Sequence, residues 1–250
     1  MFCELDFISE KDFEEHVKNT IKAYNKSLEA IDLKKFNSNV IDPIKLTFDK
    51  NVFRKSFEQI ISDEISRQRD KSNNNAIGYF HQNIFQYIKN CEVPKSGWDV
   101  IVNLEDKTRI YVEMKNKHNT MNSSASQKIY IQMQNQIIKT PSDKCFLVEA
   151  IAPKSRNIPW GCSVNGQHVE SERIRRVSMD KFYAVVTGDS TAFYKMCMKL
   201  PETIEKVIAG NKSLSVGKDT VLDELLKTDR DIQKALYKLA FNSYDGFNFC

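Results

Sequence analysis

The chain has 250 residues, 41% of them hydrophobic and 28% charged, which is the composition of an ordinary globular protein with a sizeable core. Its formal net charge is only +4 at pH 7. That balance permits nucleic-acid binding but does not argue for it, and any basic surface must be local.

The six cysteines are scattered, with no C-x₂-C pair and no histidine at metal-ligand spacing, so a zinc site is not expected. Reduced thiols are the default in a cytosolic protein. No apolar run approaches the ~18 residues that a membrane-spanning helix needs, and the acidic N-terminus lacks the basic region of a signal peptide. We therefore expect a cytoplasmic protein with no membrane partner.

Amphipathic helices precede the first predicted strand. Apolar residues recur at helical spacing over residues 9–30. The same spacing predicts a second helix over 50–70, a break at the polar stretch SNNN (72–75), and a third helix over 76–90.

Two alternating runs then predict a β-hairpin, namely GWDVIVN (97–103) and RIYVEMKN (109–116), joined by a polar turn. A helix is predicted over 125–139, and the compact apolar run KCFLVEAI (144–151) predicts a buried strand. The order helix–strand–strand–helix–strand predicts an α/β fold in which helices flank a mixed β-sheet.

After residue 152 the pattern changes. Residues 152–178 contain Pro, Gly and Asn turn signals and a short predicted hairpin at Asn165-Gly166. Helices are predicted at about 179–186, 190–209 and 219–240, followed by a polar tail. The simplest arrangement is a single domain over 1–250, with its core at about 60–151 and helical additions at both termini.

Asp99, Glu113 and Lys115 are the candidate catalytic residues. Glu113 and Lys115 lie two apart on one strand and project to the same face, and Asp99 can reach that place from the neighbouring strand. Two carboxylates and an ammonium group that converge at a strand end suit a Mg²⁺-dependent nuclease. Both carboxylates and the main-chain carbonyl of Met114 would supply oxygen ligands to Mg²⁺, which would polarise the phosphate and lower the pKa of an attacking water. Lys115 would orient that water and offset charge in the transition state.

The spacing D-x₁₃-E-x-K is weak by itself, because the same residues could be solvent-facing charges on a surface hairpin. Two features favour the catalytic interpretation. Glu113 and Lys115 follow the apolar residues 110–112 with no turn between them. The segment 116–128 is rich in hydroxyls, amides, Lys and His, as phosphate-contacting loops are.

At these residues the chain resembles a known family. Asp99 with Glu113-Met114-Lys115 is similar to the PD-(D/E)xK nuclease motif, with Trp98 where the proline would stand. Longer stretches resemble type II restriction endonucleases that cleave interrupted GG-N-CC or GG-W-CC sites. They are IGYFHQNIFQYI (77–88), GWDVIVN (97–103) and VEMKNKHNTMNSSASQKIY (112–130). The resemblance covers about residues 60–150 and implies a restriction-endonuclease-like core that uses Mg²⁺.

Other residues could complete the metal site. Glu64 lies on the helix before the core, from which an acidic residue often reaches the metal in this class; the alternative is a solvated glutamate beside Asp63. The side-chain amide of Gln82 could contact the metal-bound water or a phosphate. His81 is interpreted as a helix-packing or phosphate-contacting residue rather than a catalytic base, because Lys115 and the metal already supply that chemistry.

The predicted DNA contacts fall in two segments. Polar residues directly after the catalytic strand are expected to hold the DNA backbone, the alternative being an ordinary surface loop; they are Asn116, Lys117, His118, Asn119 and Ser124. The segment 153–178 is the candidate for base readout, because arginine matches the acceptors of guanine and a carboxylate matches the donor of cytosine. Its candidate residues are Arg156, Arg173, Arg175 and Arg176. The alternative is a solvated hairpin whose charges pair with each other.

The resemblance implies a type II restriction endonuclease that makes double-strand breaks in DNA at a short palindromic GG…CC site. Cleavage of both strands at symmetry-related positions predicts a homodimer, and a cognate DNA methyltransferase would protect the host genome. The alternatives are a repair or junction nuclease of the same fold without base readout, a non-catalytic DNA-binding module, and an α/β protein with a chance motif.

Overall fold

The structure is a computed structural model and describes residues 4–210 and 217–241. The helices are α1 (Glu10–Leu28), α2 (Leu33–Asn37), α3 (Pro43–Val52), α4 (Phe57–Asn83), α5 (Ser123–Lys139), α6 (Met179–Thr187), α7 (Ala192–Ala209), α8 (Val221–Thr228) and α9 (Ile232–Phe241), with a 3₁₀ turn at Ile84–Tyr87. The strands are β1 (Cys91–Glu92), β2 (Val100–Asn103), β3 (Arg109–Lys117), β4 (Lys144–Ile151), β5 (Asn157–Pro159), β6 (Cys162–Val164), β7 (Gln167–Val169) and β8 (Ile174–Ser178).

The described residues form two compact units. Residues 4–20 and 77–210 belong to the first unit, and residues 21–76 and 217–241 belong to the second. The unit boundaries fall within α1 and α4, and the prediction of one nuclease domain over 1–250 stays a prediction.

The first unit contains a six-stranded sheet in the order β1-β2-β3-β4-β8-β5. Strand β2 pairs antiparallel with β3, β3 pairs parallel with β4, β4 pairs parallel with β8, and β5 pairs antiparallel with β8. The sheet is therefore mixed, and its central strands β3 and β4 are paired on both sides. The predicted α/β fold, a restriction-endonuclease-like mixed sheet flanked by helices with helical additions at both termini, is confirmed.

Helix α5 covers one face of this sheet because it presents an apolar stripe at helical spacing. Tyr130 and Met133 of α5 pack with Cys145 and Leu147 of β4 in one buried cluster that also contains Trp160. Helix α6 also contacts β4. This packing buries β4 at the centre of the unit.

The second unit has a core of its own, made from residues of α2, α3, α4, α8 and α9 and of the segments that flank α2. Its buried members are Ile31, Phe36, Ile41, Leu46, Ile60, Ile61, Ile65, Val221, Leu225, Ile232, Ala235 and Leu236. Helix α3 begins at Pro43, and its first free amides are capped by the carboxylate of Asp42.

The predicted helix break at residues 72–75 is wrong, because α4 runs without interruption from Phe57 to Asn83. The polar side chains there bond along the helix instead of ending it. The hydroxyl of Ser72 donates to the carbonyl of Gln68 at 3.1 Å, and the amide of Asn74 donates to the carboxylate of Asp70 at 2.8 Å.

The helix predicted over 219–240 is divided into α8 and α9. The carboxylate of Asp231 accepts the amide hydrogen of Gln233 at 3.0 Å, so this residue caps a new helix start. The helix predicted over 50–70 is likewise divided, since α3 ends at Val52 and Arg54 adopts a positive φ of 52° before α4 begins.

Three strands were not predicted, namely β1, β5 and β8. Strand β8 was missed because Arg175 and Arg176 interrupt its apolar pattern, although Ile174 and Val177 are fully buried. The predicted hairpin at Asn165-Gly166 is confirmed as β6 and β7, with both turn residues at positive φ. The predicted polar C-terminal tail lies outside the described residues.

In the described part of the chain, no helix is long and apolar enough to span a membrane. The cysteines of that part are free thiols, namely Cys91, Cys145, Cys162 and Cys197.

Candidate active site

Asp99 stands directly before β2 and is held by the backbone of β3. Its amide donates to the carbonyl of Val112 at 3.0 Å, and its carboxylate Oδ2 accepts the amide hydrogen of Met114 at 2.7 Å. Continuing the antiparallel register beyond Val100↔Val112 brings Asp99 beside Glu113. The carboxylate is thus fixed at the backbone between Glu113 and Lys115.

Glu113 and Lys115 project from the same face of β3, as their spacing of two requires. The ammonium Nζ of Lys115 donates to Oε1 of Glu113 at 2.6 Å. The Glu113 side chain is 18% exposed and the Lys115 side chain 27% exposed, so both are half-buried but remain accessible to solvent. The structure therefore brings the three predicted catalytic residues together.

The pKa of Asp99 is raised above the usual value of a carboxyl group. Burial is the largest cause, and the nearby negative charge of Glu113 adds to it. The hydrogen bond from the Met114 amide and the positive charge of Lys115 act in the opposite direction. Two carboxylates that are partly desolvated and repel each other are favourable ligands for a cation.

The residues present fit a hard divalent cation. Such an ion is commonly held by one or two carboxylates together with phosphate oxygens and water. Asp99 and Glu113 would supply those carboxylates. Within residues 4–210 and 217–241, no group of three or more His, Cys, Asp or Glu side chains is placed to hold a metal. With two carboxylates as donors, phosphate oxygens and water would complete the coordination of such an ion.

Residues around the site contact Asp99 or its chain neighbour Trp98. The amide Nε2 of Gln82 donates to the carbonyl of Asp99 at 3.2 Å, so its observed role is to position the backbone of this residue. Trp98 packs against Tyr111 with ring centroids 5.5 Å apart. Met114 contributes its amide to Asp99, while the role of its carbonyl as a metal ligand stays a prediction.

Glu64 is buried in the second unit and is only 6% exposed, so the alternative of a solvated glutamate is wrong. Its carboxylate accepts hydrogen bonds from Arg67 at 2.7 Å and 2.5 Å and from Gln68 at 3.0 Å. Burial raises its pKa, but these hydrogen bonds outweigh burial and the net shift is downward. Its proposed role as a metal ligand stays a prediction.

His81 is half-buried, and desolvation of its ring lowers its pKa to about 4. Its Nδ1 is buried without a hydrogen-bond partner among the described residues, and its ring packs edge-on against Phe80. These contacts agree with a packing role in the helix.

The predicted backbone-contacting residues lie where the chain leaves β3. Lys117, His118 and Asn119 are exposed, Asn116 is half-buried at the end of the strand, and Ser124 is exposed in the first turn of α5. Exposed polar side chains next to the carboxylates are well placed for phosphate oxygens. Their role in DNA binding stays a prediction.

The predicted base-reading arginines all make contacts within the chain. Arg173 donates to the carbonyls of Ile137 and Pro141, at 2.9 Å and 2.8 Å, near the end of α5. Arg175 donates to Asn157 at 2.6 Å and 2.7 Å and to Glu172 at 3.0 Å. Base readout by these residues stays a prediction, and it would require such contacts to be exchanged for contacts to DNA.

Arg156 and Arg176 both bind Glu149, a residue that the sequence analysis did not single out. Glu149 is fully buried in β4, directly beside Lys115 in the parallel register. The missed signal is a lone carboxylate in the apolar run KCFLVEAI, because a buried carboxylate must be paired.

Comparison with known proteins gives the family. A model of the Eco47II restriction endonuclease family matches residues 5–209. The chain is 32% identical over 209 residues to the type II restriction enzyme Sau96I of Staphylococcus aureus, which covers 80% of each protein. It is 28% identical over 214 residues to the type II restriction enzyme Eco47II of Escherichia coli, covering 82% of this chain and 88% of that enzyme.

Type II restriction endonucleases are site-specific deoxyribonucleases that act on double-stranded DNA, and they generally use divalent metal ions. These similarities support that activity over a repair nuclease, a binding module or a chance motif. Since the family model spans most of the sequence, and the similarity to Sau96I extends over four-fifths of it, the chain belongs to the Eco47II restriction endonuclease family.

Proposed function

We propose that the chain cleaves both strands of DNA at a short GG…CC site with Mg²⁺ as its cofactor, and that Asp99, Glu113 and Lys115 carry the reaction. The observation that supports this most directly is the convergence of the three side chains on one face of β3. Lys115 contacts Glu113 at 2.6 Å, and Asp99 is tied to the backbone between them at 2.7 Å.

In this mechanism Asp99 and Glu113 would hold the divalent cation, and the Met114 carbonyl would be a further oxygen ligand. The cation would polarise the scissile phosphate and lower the pKa of an attacking water. Lys115 places its ammonium group beside Glu113, where it orients the water and offsets negative charge that develops on the phosphate oxygens. Attack forms a bond from water oxygen to phosphorus and breaks the bond to the 3′ oxygen, which takes up a proton. The products carry 5′-phosphate and 3′-hydroxyl ends.

DNA is expected to lie along the end of β3. The exposed side chains of Lys117, His118, Asn119 and Ser124, with Asn116 beside them, would contact its backbone. Base readout is assigned to the segment 152–178 because arginine matches the acceptors of guanine. Its arginines are held in defined positions by Glu149, Asn157 and backbone carbonyls.

A palindromic site carries two equivalent scissile bonds, so we propose a homodimer that places one active site at each strand. A cognate DNA methyltransferase in the same organism would protect the host genome. A cytoplasmic location follows from the substrate, because the chain must meet DNA.

The test is digestion of plasmid and phage DNA by the purified protein with Mg²⁺ or with EDTA, followed by sequencing of the fragment ends. Discrete fragments whose ends share one GG…CC pattern are expected with Mg²⁺ and none with EDTA. Mg²⁺-dependent smearing would retain the nuclease and discard the site specificity. Absence of cleavage by folded protein in any divalent metal would overturn the proposal.

A further inference from the structure

The buried charge cluster next to the catalytic strand contains one carboxylate and two guanidinium groups. Glu149 is 0% exposed, and its Oε2 accepts a hydrogen bond from Arg156 at 2.5 Å while its Oε1 accepts one from Nε of Arg176 at 2.6 Å. The carboxylate is therefore satisfied on both oxygens. The cluster retains one net positive charge on the face that also carries Glu113 and Lys115.

Arg176 makes one contact that Arg156 does not share. Its Nη2 donates to the main-chain carbonyl of His118 at 3.1 Å, three residues after Lys115. The amide of His118 in turn donates to the carbonyl of Ile151 at the end of β4, also at 3.1 Å. Both backbone groups of His118 are thus bound, one by β4 and the other by a side chain of β8.

These bonds determine where the chain leaves the catalytic strand. The exposed residues Lys117, His118 and Asn119 follow Lys115 and the half-buried Asn116. Their side chains start from a backbone whose position depends on the Arg176 guanidinium, and that group is itself oriented by Glu149. A lysine at 176 would keep the charge but could not span both partners, because a single ammonium lacks the planar fork in which Nε and Nη2 both contact Glu149 while Nη2 also reaches the carbonyl of His118.

We propose that Arg176, oriented by Glu149, is a positioning residue that fixes the exit of the catalytic strand and so holds the phosphate-contacting segment 117–119 ready for DNA. The inference rests on the proposed function of that segment. Arg176 itself acts through the backbone of His118 rather than through the reacting atoms.

The competing explanation is that both arginines only neutralise a buried carboxylate. The two explanations differ for a pair of matched variants, Arg176→Lys and Arg156→Lys. Each keeps a positive charge beside Glu149, but only Arg176→Lys removes the bond to His118. The backbone of Arg156 is held independently, because its amide donates to Ser178 Oγ and its carbonyl accepts the Ser178 amide, both at 2.9 Å.

The first readout is amide hydrogen exchange over residues 116–122 in the full chain, without DNA or metal. Arg176→Lys is expected to raise exchange there at least about fivefold more than Arg156→Lys does, with β4 still protected in both. The second readout is steady-state cleavage of a cognate duplex well below the melting temperature. Arg176→Lys is expected to raise KM at least about fivefold with a smaller change in kcat, which a mere loss of folded protein would not do.

Equal exchange over 116–122 in the two variants would overturn the inference whatever the change in KM, because loss of a base contact by Arg176 would also raise KM. If Arg176→Lys does not fold, Arg176→Gln provides the same comparison with the wild type, because it removes the bond to His118 while Arg156 still neutralises Glu149. Unchanged exchange over 116–122 in that variant would also overturn the inference.

Arg109→Lys, at the opposite end of β3, is the control expected to match wild type in both readouts. Failure of wild-type protein to cleave any DNA would refute the proposed function instead, and the exchange result would still report on Arg176.

Discussion

The carboxylate of Asp99 accepts a hydrogen bond from the backbone amide of Met114 at 2.7 Å, which joins the residue before one strand to the centre of the Glu113-Met114-Lys115 motif on the next. The contact leaves one carboxylate oxygen of Asp99 for a cation and fixes its distance from Glu113. A neutral side chain of the same shape can keep this hydrogen bond but cannot supply the charge.

Asp99→Asn is therefore expected to fold normally and to lose activity. The amide oxygen of asparagine can still accept the Met114 amide hydrogen, whereas Asp99→Ala leaves that donor unpaired and should cost about 1–3 kcal/mol of stability. Thermal melts with and without Mg²⁺ test this expectation. Mg²⁺ should raise the melting temperature of wild type but not of Asp99→Asn. An equal rise in both would remove Asp99 from the metal site.

Lys115→Ala is expected to reduce cleavage about 100-fold or more, because it removes the ammonium that stabilises charge at the phosphate. DNA binding supported by Ca²⁺ should remain within about threefold of wild type, since the loss concerns the transition state rather than the ground state. Single-turnover cleavage and filter binding measure the two effects. Lys144→Ala, an exposed lysine at the start of β4, is the matched control. Full activity of Lys115→Ala would exclude Lys115 from the mechanism.

Stability should decline in mild acid because of His16. Its Nε2 donates to the carbonyl of Phe80 at 3.0 Å, and burial lowers its pKa to about 4, from 6.5 in the unfolded chain. Between pH 4 and pH 6.5 the unfolded chain therefore binds more protons than the folded one. The stability that neutral His16 provides is therefore complete above pH 6.5 and is lost as the pH falls towards 4.

At pH 5 the loss from this residue should be about 2 kcal/mol relative to pH 7, as an upper bound. Urea denaturation of wild type and of His16→Gln at the two pH values measures it, and the variant should show a smaller decline. His168→Gln is the control, because the His168 side chain is 72% exposed. Identical pH dependence in wild type and His16→Gln would contradict the prediction.

Glu64→Gln should destabilise the chain by about 1–2 kcal/mol, because it weakens the charge-assisted hydrogen bonds from Arg67 and Gln68. Asp63→Asn, at an adjacent carboxylate that is 56% exposed, is the control and should have little effect. The midpoints of urea denaturation of wild type and both variants measure the change in stability. A higher Mg²⁺ requirement for cleavage, without loss of stability, would instead favour the metal-ligand prediction for Glu64.

The candidate catalytic residues could be predicted from the sequence because their geometry is local. Glu113 and Lys115 share a face through the two-residue period of one strand, and Asp99 belongs to the strand that pairs with it across a short turn. Alternation, turn composition and residue chemistry are all readable within that short stretch of chain. The same local logic predicted β4, α5 and the hairpin at Asn165-Gly166 correctly.

The surroundings of the site were decided by tertiary structure alone. Nothing in the local pattern pairs Glu149 with Arg176, because they meet only when β4 and β8 lie side by side. Nor does it show that α4 continues through residues 72–75, where side chains bond along the helix. Periodicity reports which residues share a face of one element, whereas the pairing of a buried charge depends on which distant strand becomes its neighbour.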